Sequence, residues 1–196
     1  GRILGLAISS MIIIFAVRPI EDFLIRLTDK YLFQKKYDYK QLIARFMDEV
    51  KTMALNVREI AQSTVDFLNT SIRPSHIVIV VHNKFTNMYD IVAAANFDEK
   101  SKVIFNDTAR LKRWGNEGMV LRMRRDVPSL QNGNNDILAA GIELFIPLLV
   151  HNELIGILCL GKKKSDDDYS NDDISVLSGL AGALAISFNN AQLFDE

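Results

Sequence analysis

Two stretches of this 196-residue chain carry mostly apolar residues at alternating spacings of four and three. The first takes in Tyr39, Ile43, Phe46, Val50, Met53, Val57, Ile60, Thr64, Phe67 and Ser71; the second takes in Ile174, Leu177, Ala181, Leu184, Phe188 and Ala191. A strand alternates every second residue, so this period commits both stretches to long helices whose apolar stripes need partners. Ser170 with Asp173 forms a capping-box-like start for the second helix, with aspartate in the place usual for Glu or Gln. Asp172 and Asp173 also suit its positive end. Each helix carries a further stripe, Met47, Ala54, Ala61 and Leu68 in one and Val176, Leu180, Ala183 and Phe194 in the other. Two stripes call for two packed faces. The expectation is a parallel homodimer with Phe46, Val50, Met53 and Val57, together with Leu177, Ala181, Leu184 and Phe188, at or near its axis. The same pattern also fits a single amphipathic helix packed on its own sheet.

Between the helices lies strand chemistry. His76–Val81 (HIVIVV) and Tyr89–Ala95 (YDIVAAA) are short apolar segments separated by polar turn residues, and they read as a hairpin. Leu144–Val150 and Leu154–Leu160 form a second pair, joined by His151-Asn152-Glu153. Pro147 lacks a backbone donor, which sets its strand at an edge or in one-sided pairing. Residues 96–141 are irregular, with a weak strand at Val103–Phe105, a short helix near Thr108–Trp114 and turn-rich residues 131–135. An insertion of that length often covers a site.

Residues 3–17, ILGLAISSMIIIFAV, are uncharged. As a helix they would span roughly 22 Å, short of the ~30 Å hydrocarbon core. With Gly1 in place of methionine, the expectation is that residues 1–18 end a transmembrane helix whose start lies upstream, the alternative being a buried core helix. Arg18-Pro19 closes the run, and Arg26, Lys30, Lys35, Lys36 and Lys40 form a basic flank that marks the cytoplasmic side. The chain is therefore expected at the cell membrane, with residues after about 18 inside, 19–38 a juxtamembrane connector and 39–196 the domain.

Lysine plus arginine (23) balance aspartate plus glutamate (24), so no charge excess points to nucleic acid. One cysteine, Cys159, excludes an intramolecular disulfide framework and a four-cysteine zinc site. It lies in an apolar run, the setting of an inert thiol. His76, His82 and His151 lack metal-ligand spacing, and no metal is expected. Asp166–Asp168 with Asp172 and Asp173 lack the glycine and glutamate of a calcium loop, since Asn171 and Leu177 stand there.

The terminal third, Leu144-Phe145-Ile146-Pro147-Leu148, then Asn152 to Leu158, Leu160-Gly161 and Tyr169 to Asp173, resembles the GAF domain, a sensory module among the PAS-like folds. Residues 18–45 are similar to the connector between the last membrane helix and the GAF domain in some bacterial membrane histidine kinases. The resemblance implies an α+β fold: an antiparallel sheet with the N- and C-terminal helices on one face and a pocket on the other. Asn83-Lys84 and Phe97-Asp98-Glu99 echo the signature of cyclic-nucleotide GAF domains without its three-residue spacer. Redox relatives use more than one cysteine, and bilin-binding relatives attach through a cysteine that residues 96–143 lack, so the cofactor stays open.

By elimination, a small-molecule ligand is expected between the sheet and the crossing segment, near Phe97, Phe105, Arg113 and Trp114, where cations stand beside aromatics. Lys112, Arg122, Arg124 and Arg125 extend that basic set, which a solvated face or contact with anionic lipid also explains. The reading is a non-catalytic sensory and dimerisation module of a membrane receptor in a two-component system. It would relay a ligand or membrane signal to an output domain such as a histidine kinase. A redox enzyme and a ligand-free dimerisation spacer are the alternatives.

Overall fold

The computed structural model describes Gln41 and residues 43–50, 56–116, 118, 120–123 and 135–194. The apolar run at 3–17, the connector at 19–38, Met53, Arg124 and Arg125 lie outside the described residues. Helix α1 occupies 43–50 and α2 Val57–Ser71. They are not one helix. Asn56 has an extended backbone (φ −113°, ψ 114°), and its side chain accepts from the Arg58 N–H at 2.9 Å, the arrangement that caps a new helix. The chain reverses before α2, because Phe46 of α1 stacks on Phe67 of α2 with ring centroids 4.1 Å apart. A continuous helix would hold positions 46 and 67 about 31 Å apart. The expected four-heptad helix is therefore a helical hairpin whose seam closes on itself: Ile43, Phe46 and Val50 from one arm are buried, as are Ile60, Thr64 and Leu68 from the other.

Helix α5, Asn171–Phe194, completes the helical layer. Helix α1 advances in the same direction, with Met47 packed over Gly179 and the Val50 carbonyl accepting from Ser187 Oγ at 3.3 Å. The expected capping pair forms: the Asp173 N–H donates to Ser170 Oγ (3.2 Å) and the Ser170 N–H to Asp173 Oδ2 (2.7 Å). Burial alone would raise the Asp173 pKa, but the Lys163 ammonium at 2.6 Å and the Ser170 donors outweigh it and hold the carboxyl below its usual range. Among the described residues α5 is the one helix long and apolar enough to cross a membrane, and half of that window is buried inside this domain.

The residues expected at a dimer axis are packed within one chain. Leu177, Leu184 and Phe188 have no exposed surface, Ala181 has 3%, and the second stripe at Leu180 and Ala183 is buried too. The sheet and α2 already cover α5 on these sides. Phe46 and Val50 are likewise buried, and Val57 is half-buried.

Five strands form one antiparallel sheet: β1 Ile77–Asn83, β2 Met88–Ala95, β3 Leu121–Arg122, β4 Ile142–Val150 and β5 Glu153–Gly161. Their order is β2-β1-β5-β4-β3, and both expected hairpins are present. His151 (φ 48°) and Asn152 (φ 67°) both take the left-handed conformation that a two-residue turn needs to match strand twist. Among the described residues β3 pairs with β4 at Leu144 and Phe145, and Pro147 lies beyond that pairing, opposite Ile157 of β5, as its missing donor requires.

Side chains alternate across the two central strands. Val78, Val80, Ile157 and Cys159 face the crossing segment with Phe145, while Ile77, Ile79, Leu158 and Leu160 face the side where α2 and α5 pack. In the crossing segment the strand expected at Val103–Phe105 is instead part of a 3-10 helix, Glu99–Asn106, whose first turn Asp98 caps by accepting from the Lys100 N–H. The expected short helix is present as α3, Thr108–Gly115, and α4 spans Asn135–Ala139.

Candidate functional site

The sheet face beneath the crossing segment is filled by side chains. Phe105 and Trp114, expected to line a ligand space, are 3% and 7% exposed and belong to the core with Val80, Phe145 and Ile157. Trp114 meets Phe145 edge-on at 5.4 Å, and Phe97, half-buried, packs against Phe105 at 6.0 Å. Arg113 is exposed. Of the four expected residues, two therefore belong to the core, one is half-buried and one is exposed.

The cation that organises this layer is Arg110, which the sequence reading did not single out. Its guanidinium forks onto Asp136 of α4, Nη1 to Oδ1 at 3.2 Å and Nη2 to Oδ2 at 3.0 Å. Nη2 also donates to the Ile104 carbonyl (2.9 Å), and the group lies 5.6 Å from the centroid of the Trp114 ring. One side chain therefore ties α3, α4 and the 3-10 helix over the sheet.

Open space lies at the ends of the sheet. Near the start of α5, Arg122, Glu143 and residues 168–171 border a cleft of about 440 Å³, and Arg122 donates to Asn171 Oδ1 at 2.7 Å. A neighbouring cleft of about 350 Å³ is bordered by Ser75, His76, Gly141, Glu143 and Lys162. The His76 ring occupies a slot made by two glycines, since a Cβ on Gly141 or on Gly161 would collide with its Cε1. Ser75 Oγ lies 3.2 Å from His76 Nδ1, and Nε2 is buried without a partner.

Burial lowers the His76 pKa below its ordinary value of 6.5. Between 6.5 and the lower folded value, the unfolded chain binds a proton that the folded chain does not. Stability contributed by the neutral ring is therefore complete above pH 6.5 and lost as pH falls through the folded pKa. The urea midpoint is expected to drop from about pH 7.5 to about 5.5, with a shallower drop in His76→Gln. Equal drops in both proteins would show that His76 is not the titrating group.

Elsewhere the reactive inventory is thin. Burial pushes the Cys159 thiol far above the usual range. His82 Nε2 lies 3.0 Å from Asn87 Oδ1, and His151 is exposed in its turn. Among the described residues no three His, Cys, Asp or Glu side chains are grouped to hold a metal. The Tyr89 hydroxyl is buried without a partner, its pKa pushed up to about 12 by burial and by the Glu153 charge. Asn83, paired with Met88 at one end of β2, and Asp98, beyond the other end, both from the echoed cyclic-nucleotide signature, serve a hairpin turn and a helix cap.

The family model described as GAF domain matches residues 56–190. No curated protein sequence matches the chain. Among solved structures, the fold is similar to the GAF domain from a phosphoenolpyruvate-protein phosphotransferase of Coxiella burnetii, with a TM-score of 0.60, 14% identity and coverage of 80% of this chain and 96% of that one. It is also similar to the GAF domain ascribed to a sensor histidine kinase of Pseudomonas syringae pv. tomato, with 0.58, 14%, 85% and 95%. A third likeness is to a methyl-accepting chemotaxis protein, with 0.53, 13%, 76% and 98%. At these identities the shared property is the fold. The family match spans most of the chain and coincides with the sheet and helices described above, and on that ground the protein belongs to the GAF domain family of sensory signalling modules.

Proposed function

We propose that this GAF domain is a regulatory, non-catalytic relay within a membrane-bound signalling protein. It would associate with a second copy of itself and pass a ligand or membrane signal to an output domain, a histidine kinase being the reading favoured by the resemblance of residues 18–45. The observation that carries this is where apolar surface has been left. The sheet face under the crossing segment is occupied by its own side chains, while α5 keeps an outward stripe on which Ile186 and Leu193 are 52% and 55% exposed. Ser175 and Gly182 lie on the same stripe, Gly182 four residues before Ile186 and seven after Ser175. That spacing suits a helix from a second copy, so the self-association proposed here runs along this stripe and not along Leu177 and Phe188. The redox alternative would need Cys159 as a thiolate, which its burial opposes.

Sedimentation of the detergent-solubilised chain at about 1 to 100 µM is expected to show a concentration-dependent dimer. Ile186→Glu with Leu193→Glu is expected to raise the dissociation constant at least ~10-fold while leaving the urea midpoint of the monomer unchanged. A chain that stays monomeric throughout that range, or a dimer indifferent to both substitutions, would refute the interface.

A further inference from the structure

The hairpin joining β1 to β2 is braced beyond what its turn requires. Asn83 Oδ1 accepts from the N–H groups of Phe85 (3.0 Å) and Thr86 (3.2 Å), while Asn83 Nδ2 donates to Asp90 Oδ2 at 2.8 Å. Asn87, left-handed at φ 54°, accepts from Lys112 Nζ at 3.1 Å. This bracing holds Phe85 in water at 89% exposure. The backbone that carries the ring has lost conformational freedom before any partner arrives, which lowers the cost of binding.

Beside Phe85 lies a cleft of about 220 Å³. Val57 at the start of α2 and Val81 and Val92 on the strands line it. Gln192, near the end of α5, lines it too and donates to the His82 carbonyl at 2.9 Å. Lys84 and Asp90 set opposite charges on the same lining, and the Asn83 amide orients the Asp90 carboxylate. A fitting occupant has an apolar body of branched-aliphatic or aromatic size, an ammonium for Asp90 and a carboxylate for Lys84.

We propose that this cleft binds a small apolar amino acid, with its side chain against the valines and Phe85 and its two charges on Asp90 and Lys84. The site is on the helix-bearing side of the sheet, and the occupant would touch the first turn of α2 and the last turns of α5 together. Nothing in it depends on self-association or on the identity of an output domain.

Isothermal titration of the full 196-residue chain with L-leucine and L-phenylalanine tests this. The comparators are 3-methylbutylamine, which lacks the carboxylate, and 4-methylpentanoate, which lacks the ammonium. The expected result is saturable binding of at least one amino acid, with both comparators at least ~10-fold weaker and Asp90→Asn weakening it by at least ~10-fold. Val92→Phe, which fills the cleft, is expected to abolish binding. If that variant fails to fold, Asp90→Asn still carries the test, because the amide oxygen can accept from Asn83. No saturable binding of either amino acid up to ~10 mM, equal binding of a comparator, or indifference to Asp90→Asn would each overturn the proposal.

Discussion

Phe188→Ala is expected to destabilise the folded domain by about 3–5 kcal/mol, a large share of the ~5–15 kcal/mol that holds an ordinary domain together. Phe188 has no exposed surface and is among the largest side chains fully enclosed in the core. Truncation would remove its transfer free energy and leave a cavity that α5, packed between sheet and helices, has little freedom to close. The neighbouring substitution Ile186→Ala, on the outward stripe, is expected to cost the monomer less than ~1 kcal/mol. Urea denaturation at two protein concentrations separates the packing roles. A core residue gives the same loss at both, whereas a loss at Phe188 that shrinks on dilution would return it to a dimer interface.

Gly156→Ala is expected to cost about 3 kcal/mol, for a reason unrelated to glycine's flexibility. Gly156 lies in β5, paired on one side with Val81 and on the other with Leu148. A Cβ there would stand 2.5 Å from the Val80 carbonyl oxygen and 3.3 Å from Leu148 Cδ1. The leucine can rotate, but the carbonyl belongs to the backbone of β1, so relief requires the two central strands to part. Gly182→Ala is the matched control: a Cβ there meets nothing within 4 Å, and alanine in a helix interior is expected to gain about 0.5–1 kcal/mol. Thermal unfolding of both variants checks the contrast, and comparable stabilities would show that β1 and β5 yield easily.

What the sequence made legible is what short-range chemistry determines. The strands could be found because both sheet faces are buried, so apolar runs such as LIGILCL mark them directly. The Ser170–Asp173 cap could be found because its donors and acceptors lie within one turn. The reversal before α2 was hidden by the heptad spacing, which runs through Asn56 without a change of phase. A local signal was present: Asn56 followed three residues later by Glu59 has the residue types of a helix start. Likewise the stripes on α5 showed how many faces are covered but not by which chain, since the same leucines suit a partner helix or the domain's own sheet.

The burial of two of the residues expected to meet a ligand was hidden for a different reason. Trp114 and Phe105 look available beside basic residues in sequence, and only the tertiary fold shows Trp114 against Phe145, thirty-one positions away. His76 is similar, since its slot is assembled from Gly141, Gly161 and Phe97. No spacing rule connects those positions.

The direction of α1 along α5 governs how a push on one helix reaches the other. Because α1 and α2 fold back on each other, there is no common shaft through which rotation could travel from residue 43 to residue 71. Motion of α1 would instead be handed across its flanks, to α2 through the Phe46–Phe67 stack and to α5 where Met47 bears on a position with no side chain and Ser187 grips the Val50 carbonyl. The pair is built as meshed gears and not as an axle: a turn of α1 would reach α5 as a sideways push at Gly179 and Ser187, eight residues apart and about 12 Å along its length.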